Sequence, residues 1–207
     1  MSQVSLQSCV VLASNNTKKV NELTSILSSF GLALKKQSEF NLPDAVENGL
    51  SFVENAIIKA RHAARLTGLP AIADDSGLEV DALDGKPGIY SARYAGPNAN
   101  DERNNEHLLE AMKGFIEPER TARYRCVIVY LRYATDPMPI ICHGTWEGSI
   151  LQMPRGEGGF GYDPLFWVAS EQCSAAELTP ERKAELSHRS QALTQLSTFF
   201  SSHDAMR

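Results

Sequence analysis

The stretch from Ala71 to Val80 places the tightest constraint on what this chain can fold into. It reads AIADDSGLEV, so an apolar segment leads directly into two adjacent carboxylates. The apolar segment predicts a short buried strand, and Ser76-Gly77 predicts a turn after it. Asp74 and Asp75 would then lie at the open end of the strand. Because successive residues of an extended chain point to opposite faces, only one of these carboxylates can readily face a given cleft.

The adjacent carboxylates have two explanations. A carboxylate at a strand end beside a glycine suits a hard cation or an activated water molecule. Alternatively, the segment forms an Asx turn, in which an aspartate side chain accepts a hydrogen bond from the backbone two residues later. Other parts of the chain must decide between the two explanations.

Composition excludes several classes of protein. The 207 residues suffice for one domain with a full core, and 43% hydrophobic and 22% charged residues are typical of a soluble globular protein. The net charge of −5 offers no basic surface for a nucleic-acid duplex, although a local basic pocket with a cation can hold a nucleotide. No apolar run approaches the ~18 residues of a membrane span, and residues 1–7 do not resemble a signal peptide. We therefore expect a cytoplasmic protein with no membrane partner and no stable nucleic-acid partner.

The chain has four cysteines, which are Cys9, Cys126, Cys142 and Cys173. They form no C-x-x-C pair, and the first three lie in apolar, strand-like runs. This placement predicts buried free thiols rather than zinc ligands or disulfides.

A strand, a polar loop and a helix follow one another near the N-terminus. The apolar residues 9–13 predict a buried strand, and Val20, Leu23, Ile26 and Leu27 recur at helical spacing. The loop between them presents backbone N–H groups and the positive end of the helix dipole to an anion. Lys19 in the first turn opposes the dipole, a placement that a bound phosphate would explain. The alternative is simple capping of the helix by Ser14, Asn16 or Thr17.

A capping box at Ser51 and Glu54 predicts the start of another helix, which runs to about Leu66. Glu47 precedes this helix and has no such local role. It lies before a glycine turn, where its carboxylate could meet that of Asp75 across a cleft.

The remaining patterns predict scaffold, a glycine-rich loop and a C-terminal helix. The scaffold comprises a strand at 32–35, a helix at 100–113, a strand at 122–133, a turn at Asp136-Pro137, a returning strand at 140–146 and an extension at 148–153. Thr179-Pro180 predicts the start of a helix that runs to about Phe200.

The loop from Pro154 to Pro164 contains four glycines and two aromatic residues. Glycines permit close approach of the backbone, and an aromatic side chain on such a loop can stack on a flat ring. The alternative is a tight turn whose aromatic side chains fold back into the core.

Together these segments resemble the Ham1/RdgB family of inosine triphosphate pyrophosphatases, which hydrolyse non-standard purine nucleotides. The resemblance runs from about Cys9 to the C-terminal helix and depends on six blocks in the family's order. The blocks are Ser14-x-Asn16-x-x-Lys19, Glu47-x-Gly49-x-Ser51-Phe52-x-Glu54-Asn55-Ala56, Ala73-Asp74-Asp75-Ser76-Gly77-Leu78, Pro87-Gly88-Ile89-Tyr90-Ser91-Ala92-Arg93, Gly159-Phe160-Gly161-Tyr162-Asp163-Pro164 and Ser187-His188-Arg189.

We accordingly predict one α/β domain over residues 1–207, with two lobes around a long mixed sheet, flanking helices and a nucleotide cleft between the lobes. The resemblance implies a homodimer. It also implies Mg²⁺-dependent attack of water at the α-phosphorus of ITP, dITP or XTP. The products would be pyrophosphate and a monophosphate, and the reaction would cleanse the nucleotide pool of deaminated purines.

The resemblance further implies a role for each matching residue. Glu47 and Asp75 would bind Mg²⁺, Asp75 would also accept the proton of the attacking water, and Ser76 would contact the substrate. The triphosphate would be bound by Ser14, Asn15, Asn16, Thr17, Lys18 and Lys19. The base would be enclosed and read by Phe160, Gly161, Tyr162, Asp163, Lys183, His188 and Arg189. Lys59 is by default a solvated mid-helix lysine, and we include it among the substrate-binding residues.

Base selection follows from counting hydrogen-bond donors. Arg189 and Lys183 offer only donors, so they suit the O6 acceptor of hypoxanthine or xanthine and oppose the amino group of adenine. Such a mismatch leaves buried polar groups unpaired. Guanine shares O6, so its rejection must come from the position of its 2-amino group.

Two positions depart from the family pattern. Asn15 stands where the family has glycine, and asparagine tolerates left-handed backbone better than most residues. Asn48 replaces a usual threonine and leaves Glu47 in place. The alternative functions are a nucleotide phosphatase or Maf-like pyrophosphatase for modified pyrimidines, a non-catalytic nucleotide sensor, and a nucleic-acid-binding protein, which the acidic balance disfavours.

Overall fold

The computed structural model of the chain describes residues 9–16, 19–20, 23–24 and 32–204. These residues form a seven-stranded sheet with flanking helices. The strands are β1 (Cys9–Leu12), β2 (Ala33–Lys36), β3 (Ala71–Val80), β4 (Thr121–Leu131), β5 (Ile140–Ile150), β6 (Phe166–Val168) and β7 (Cys173–Ser174). Their order in the sheet is β2-β1-β3-β4-β5-β6-β7.

The sheet is mixed, as predicted. β1 runs parallel to both β2 and β3, with Val11 opposite Ala71 on β3. At the other end, β6 is antiparallel to β5 and to β7, with Ile150 opposite Phe166. The α/β class and the mixed sheet are therefore confirmed, whereas the two-lobe arrangement with its cleft and the single domain stay predictions.

Four helices flank the sheet within the described residues. They are α1 (Phe52–Thr67), α2 (Asp101–Ala111), α3 (Pro180–Leu186) and α4 (His188–Asp204). Residues 19–20 and 23–24 are also helical, whereas Ile26 and Leu27 of the predicted first helix lie outside the described residues. None of the helices that the structure describes combines the length and apolarity needed to cross a membrane.

The described residues divide into two compact units. The first lies within Met1–Asp75, Val127–His143 and Ala192–Arg207, and the second within Ser76–Cys126 and Gly144–Gln191. In the first unit, β1 and the start of β3 pack against alanines at helical spacing on α1, which are Ala56, Ala60, Ala63 and Ala64. In the second unit, the core contains larger side chains, including Leu78, Leu108, Tyr124, Trp146 and Phe166.

The predicted turn at Ser76-Gly77 is wrong, because β3 continues without interruption to Val80. The reason is tertiary: Leu78 and Val80 are completely buried in the core of the second unit. Continuing the strand buries both side chains, and this burial outweighs the local turn preference of serine and glycine.

The predicted continuous helix from Thr179-Pro180 to Phe200 is also wrong. α3 ends at Leu186, Ser187 adopts an extended conformation with φ −65° and ψ 153°, and α4 begins at the next residue. The Ser187 hydroxyl accepts a hydrogen bond from the Ser190 amide at 3.2 Å. Ser187 thus caps α4, and a capping residue lies outside helical geometry.

Most other predictions agree with the structure to within a few residues. The strand predicted at 32–35 is β2, and the helix predicted at 100–113 is α2, capped by the Asn100 side chain. The extension predicted at 148–153 ends at Ile150, as the end of β5. Cys126 and Cys142 are buried thiols outside any disulfide, and burial raises the pKa of Cys142 to about 11. Cys9 is only partly buried, because it is the first residue of β1.

Candidate active site

Lys59 bridges the two carboxylates that the family resemblance implies as metal ligands. Its Nζ lies 2.8 Å from Asp75 Oδ1 and 3.2 Å from Glu47 Oε2. The Lys59 side chain is only 15% exposed, so its description as a solvated mid-helix lysine is wrong. The burial of its ammonium is possible because two carboxylates compensate its charge. Three separate segments of the first unit therefore meet at one cation.

Glycine at position 49 lets the loop that carries Glu47 approach the start of α1. The Gly49 amide donates to Oδ1 of the buried Asn55 at 2.9 Å, and a Cβ at Gly49 would lie 2.6 Å from Glu54 Cβ. The predicted cap by Ser51 is confirmed at the same place, since the Glu54 amide donates to Ser51 Oγ at 3.3 Å. The Glu54 carboxylate accepts from the Leu50 amide at 2.9 Å and from the Ser51 hydroxyl at 2.7 Å. These contacts fix the loop immediately after Glu47.

Burial shapes the protonation of the Lys59–Asp75 pair. It raises the pKa of Asp75 above the ordinary aspartate range, although the Lys59 ammonium opposes the shift. Burial alone would lower the pKa of Lys59, but the carboxylates of Asp75 and Asp74 outweigh it and raise that pKa. Asp75 is consequently a stronger proton acceptor than an exposed aspartate when it is ionised.

Asp74 and Asp75 contact different lysines, in keeping with the prediction that only one of them faces a given site. Lys19 Nζ lies 2.6 Å from Asp74 Oδ2, and the Asp74 side chain is 1% exposed. This ion pair explains why a lysine occupies the first turn of a helix, where the dipole disfavours it. Lys19 therefore has a partner of its own within the protein.

The N-terminal loop is organised by its own polar side chains. Asn16 Oδ1 accepts from the Lys19 amide, and Ser14 Oγ accepts from the Asn16 amide, both at 3.2 Å. Capping is thus confirmed for Asn16, while phosphate binding by the loop stays a prediction. Asn15 donates to Asp44 Oδ1 at 2.6 Å and is not among the described residues with positive φ. Thr17 and Lys18 lie outside the described residues.

A second group of predicted site residues gathers around Asp163 in the second unit. The Asp163 carboxylate is buried, with 2% of the residue exposed. It accepts hydrogen bonds from the Phe160 amide at 2.7 Å and the Tyr124 hydroxyl at 3.2 Å, and it forms an ion pair with Lys183. These hydrogen bonds and the ion pair compensate the cost of burying the Asp163 carboxylate.

Phe160 lies beside two cations. Lys183 Nζ is 4.7 Å and Arg189 Cζ is 5.7 Å from the centroid of the Phe160 ring, both within the range of cation–π attraction. The neighbouring His188 stacks on Tyr124, with ring centroids 4.8 Å apart and planes inclined by 11°. The structure therefore brings together the aromatic and basic residues that the sequence proposes for the base.

The two aromatic residues of the glycine-rich loop have different environments. Phe160 is partly exposed, whereas Tyr162 is buried and its hydroxyl donates to the Ser91 carbonyl at 2.8 Å. Burial raises the pKa of Tyr162. The alternative explanation, an aromatic folded back into the core, thus applies to the side chain of Tyr162, and its contribution to substrate binding stays a prediction.

The loop is also held by α2. The Gly161 amide donates to Asp101 Oδ2 at 2.7 Å, and the Gly161 carbonyl accepts from Asn105 Nδ2 at 2.9 Å. Gly159 has a φ of +73°, and a Cβ there would clash with the Asp163 carboxylate. Sequence reasoning missed Asp101, Asn105 and Tyr124, because their spacing indicates only a helix start and a strand.

The carboxylates of Glu47 and Asp75 fit a hard cation that brings other ligands with it. In the described ranges, no three or more His, Cys, Asp and Glu side chains are arranged to hold a metal ion. Two carboxylates already surround one cation, the Lys59 ammonium. Mg²⁺ commonly binds through one or two carboxylates, with phosphate and water as its remaining ligands. Ser76 lies on β3 next to Asp75 and is partly exposed.

Comparison with known proteins identifies the family. The model of the Ham1 family matches residues 10–199. Proteins named dITP/XTP pyrophosphatase from Vibrio cholerae and Shigella flexneri are each 59% identical over 187 residues, which cover 90% of this chain and 94% and 95% of theirs. The structure of a HAM1 protein from Coxiella burnetii is similar with a TM-score of 0.90 and 51% identity, covering 94% of this chain and 98% of that one. The corresponding values for the Staphylococcus aureus Ham1 protein are 0.86, 40%, 94% and 99%. This chain belongs to the Ham1 family.

Proposed function

We propose that this protein hydrolyses non-standard purine nucleoside triphosphates, namely ITP, dITP and XTP, to the monophosphate and pyrophosphate. The observation that carries the proposal is the contact of Glu47 and Asp75 with one partly buried cation, since one or two carboxylates together with substrate phosphates are the usual ligands of Mg²⁺ at nucleotide sites. Relatives named dITP/XTP pyrophosphatase at 59% identity support it. The reaction removes deaminated purines from the nucleotide pool.

The triphosphate is bound by the N-terminal loop at residues 14–16, which follows β1, and by two lysines. Ser14, Asn15 and Asn16 offer polar groups and backbone N–H donors at a helix start, where an anion is favoured. Lys19 and Lys59 neutralise phosphate charge. Thr17 and Lys18 complete this set in the proposal.

Glu47 and Asp75 are the residues that would hold Mg²⁺. When bound, the ion would neutralise charge that develops on the phosphoryl oxygens. Asp75 accepts the proton of the water that attacks the α-phosphorus, and a positioned base of this kind typically contributes ~10²–10⁴-fold in rate. Ser76 contacts the substrate beside it.

The residues around Phe160 recognise the purine base. Lys183 and Arg189 donate to the O6 acceptor of hypoxanthine or xanthine, and Asp163 holds the Lys183 ammonium in position. Phe160 stacks on the purine ring, and His188, Gly161 and Tyr162 complete the enclosure. Adenine presents an amino group where O6 would lie, so it opposes one donor with another.

The test is a substrate panel in which the released products are identified. ITP, dITP, XTP, ATP, GTP and a modified pyrimidine triphosphate are each incubated with protein and Mg²⁺. We expect pyrophosphate and a monophosphate from ITP, dITP and XTP at least about 100-fold faster than from ATP. Release of orthophosphate would identify a phosphatase instead, and preference for the pyrimidine would identify a Maf-like activity.

We further propose that the protein is a homodimer in the cytoplasm with no stable nucleic-acid partner. The acidic net charge of −5 supports the last point, because nucleic-acid binding depends on basic side chains. Light scattering should give twice the chain mass of 22.7 kDa. A mass equal to that of one chain would contradict the dimer without affecting the proposed reaction.

A further inference from the structure

The ammonium of Lys59 occupies the position between the two carboxylates that the proposed function assigns to a metal ion. Its distances to Asp75 Oδ1 and Glu47 Oε2, 2.8 Å and 3.2 Å, are those of close ion pairs. A divalent ion would use oxygens of the same two carboxylates. We infer that Lys59 is a place-holder cation, which competes with the metal in the nucleotide-free protein and makes tight metal binding depend on the nucleotide. This inference rests on the proposed function, specifically on Glu47 and Asp75 as metal ligands.

Charge balance explains why the lysine and a free metal ion exclude one another. The local cluster contains three carboxylates, of Glu47, Asp74 and Asp75, and two ammonium groups, of Lys19 and Lys59. Its single excess negative charge is too small to hold a divalent ion beside both lysines. The Asp75 and Lys59 side chains are only 11% and 15% exposed, so repulsion between Lys59 and an added ion is weakly screened.

The nucleotide resolves the competition because it offers Lys59 another partner. A triphosphate brings several negative charges, so the ammonium can leave the carboxylates without losing its compensation. The carboxylates are then available to the ion that arrives with the phosphates. Nucleotide and metal therefore each strengthen the binding of the other, and the coupling must be reciprocal.

Lys19 does not have this role, although it belongs to the same cluster. It is paired with Asp74, which faces away from Asp75 along the strand, and its distance to Asp74 Oδ2 is 2.6 Å. Lys59 instead contacts both of the proposed metal ligands. The place-holder function is accordingly assigned to Lys59 alone among the residues that the structure describes in this cluster.

The experiment measures binding of Mn²⁺, a spectroscopic substitute for Mg²⁺, to the full chain by electron paramagnetic resonance. Lys59→Met removes the ammonium and keeps the aliphatic stem. We expect it to bind Mn²⁺ at least about tenfold more tightly than the wild type in the absence of nucleotide. Lys59→Arg keeps the cation and should retain the weak binding. Lys35→Met is the matched control for charge, because Lys35 is exposed and pairs with Glu39, and it should leave Mn²⁺ affinity unchanged.

The same titration with a non-hydrolysable ITP analogue separates this inference from the proposed function. We expect the analogue to strengthen Mn²⁺ binding to the wild type more than to Lys59→Met. Tight Mn²⁺ binding by the wild type without nucleotide would overturn the inference, as would an unchanged affinity in Lys59→Met. Either result leaves the proposed metal site intact if Glu47→Gln abolishes Mn²⁺ binding. If the wild type binds no Mn²⁺ even with the analogue, the proposed metal ligands are wrong and the inference fails with them.

A second variant guards against misfolding. Lys59→Gln keeps a polar side chain at the partly buried position and removes the charge, so the same gain in Mn²⁺ affinity is expected. Thermal unfolding identifies which of the two neutral variants is folded, and the folded one is used for the comparison. A folded Lys59→Gln without that gain would also overturn the inference.

Discussion

Lys19 and Asp74 form an ion pair of 2.6 Å in which the carboxylate is almost completely buried. The lysine lies at the start of a helix, where its charge opposes the dipole, and the carboxylate lies in the middle of the sheet on β3. Each residue is therefore unfavourable by itself, and the pairing compensates both. Asp74 thus has a structural role, in contrast to the catalytic role proposed for its neighbour Asp75.

This ion pair predicts that substitutions of Lys19 and Asp74 change the free energy of unfolding in a strongly non-additive way. Lys19→Met should lower the free energy of unfolding by about 3 kcal/mol, because it leaves a buried carboxylate without its cation. In the double variant with Asp74→Asn, most of this loss should be recovered. Urea unfolding of both single variants and the double variant measures the coupling. A coupling energy below about 0.5 kcal/mol would show that the two residues act independently.

Asp75→Asn should separate turnover from binding. We expect the rate of ITP hydrolysis to fall by about 10²–10⁴-fold, because the proton acceptor is lost. The affinity for ITP, measured by calorimetry without Mg²⁺ so that the loss of a metal ligand does not contribute, should change only a few-fold. Asp84→Asn is the matched control, since Asp84 is exposed and its left-handed conformation suits asparagine. A wild-type protein that binds ITP and Mg²⁺ but never releases product would instead favour a nucleotide sensor.

Arg189→Gln should reduce discrimination between bases. Loss of a charged donor to O6 should lower kcat/KM for ITP by about 10–100-fold and leave the slow hydrolysis of ATP nearly unchanged. The ratio of the two kcat/KM values is the measurement. Arg182→Gln removes an arginine from the neighbouring helix α3, where it pairs with Glu171 and Glu185, and should leave the ratio unaltered. An equal loss for both nucleotides would assign Arg189 to the phosphates rather than to the base.

Gly144→Ala should disturb the proposed base site indirectly, by displacing the start of α4. A Cβ at this position of β5 would clash with the His188 carbonyl at the start of α4. We expect a loss of about 1–3 kcal/mol in unfolding free energy and a fall in ITP turnover, since His188 and Arg189 must move. Gly114→Ala meets open space at a φ of +91° and should cost about 1–2 kcal/mol with normal turnover. Unaltered turnover in Gly144→Ala would show that the helix start is not critical.

Asp136→Asn should change the pH dependence of stability. Asp136 accepts hydrogen bonds from the Arg132 guanidinium at 2.6 and 2.8 Å and from the Met138 amide at 3.0 Å, and the guanidinium holds its pKa well below the usual range. The ionised carboxylate therefore stabilises the fold above its unfolded pKa of about 3.9, and this contribution is lost as the pH falls toward the folded value.

We expect Asp136→Asn to cost about 1–3 kcal/mol near pH 7, with the lower end favoured because Arg132 is half exposed. The difference from the wild type should shrink near pH 3. Urea unfolding at the two pH values measures it. If the variant and the wild type differ in unfolding free energy by the same amount at both pH values, ionisation of Asp136 is not the source of the stabilisation.

Local signals predicted those elements whose ends are marked by their own residues. α1 begins where its capping box predicts, and Asn100 caps α2, because caps involve residues three positions apart. The break at Ser187 was missed because apolar residues continue at helical spacing on both sides of it. The course of β3 past Ser76-Gly77 was missed because it depends on burial of Leu78 and Val80, which only the tertiary structure determines.

The candidate site was also predicted only in part, because some of its contacts join segments that are distant in the sequence. The family resemblance supplied Glu47, Asp75 and the basic residues near the C-terminus. The contact of Lys59 with two carboxylates depends on folding of segments that are 12 and 16 residues away, so no spacing rule indicates it. Tyr124 lies on a strand whose alternation indicates only core, and its contacts with Asp163 and His188 were therefore not predictable.

The attachment of Gly161 to α2 affects when the glycine-rich loop loses its conformational entropy. Asp101 and Asn105 form hydrogen bonds with both polar groups of the Gly161 backbone. The loop is therefore already ordered when the protein folds. A nucleotide that binds beside Phe160 would then meet a rigid surface and would lose little affinity to loop ordering. Substrate preference could therefore be altered by replacing side chains on this loop while its backbone frame stays the same.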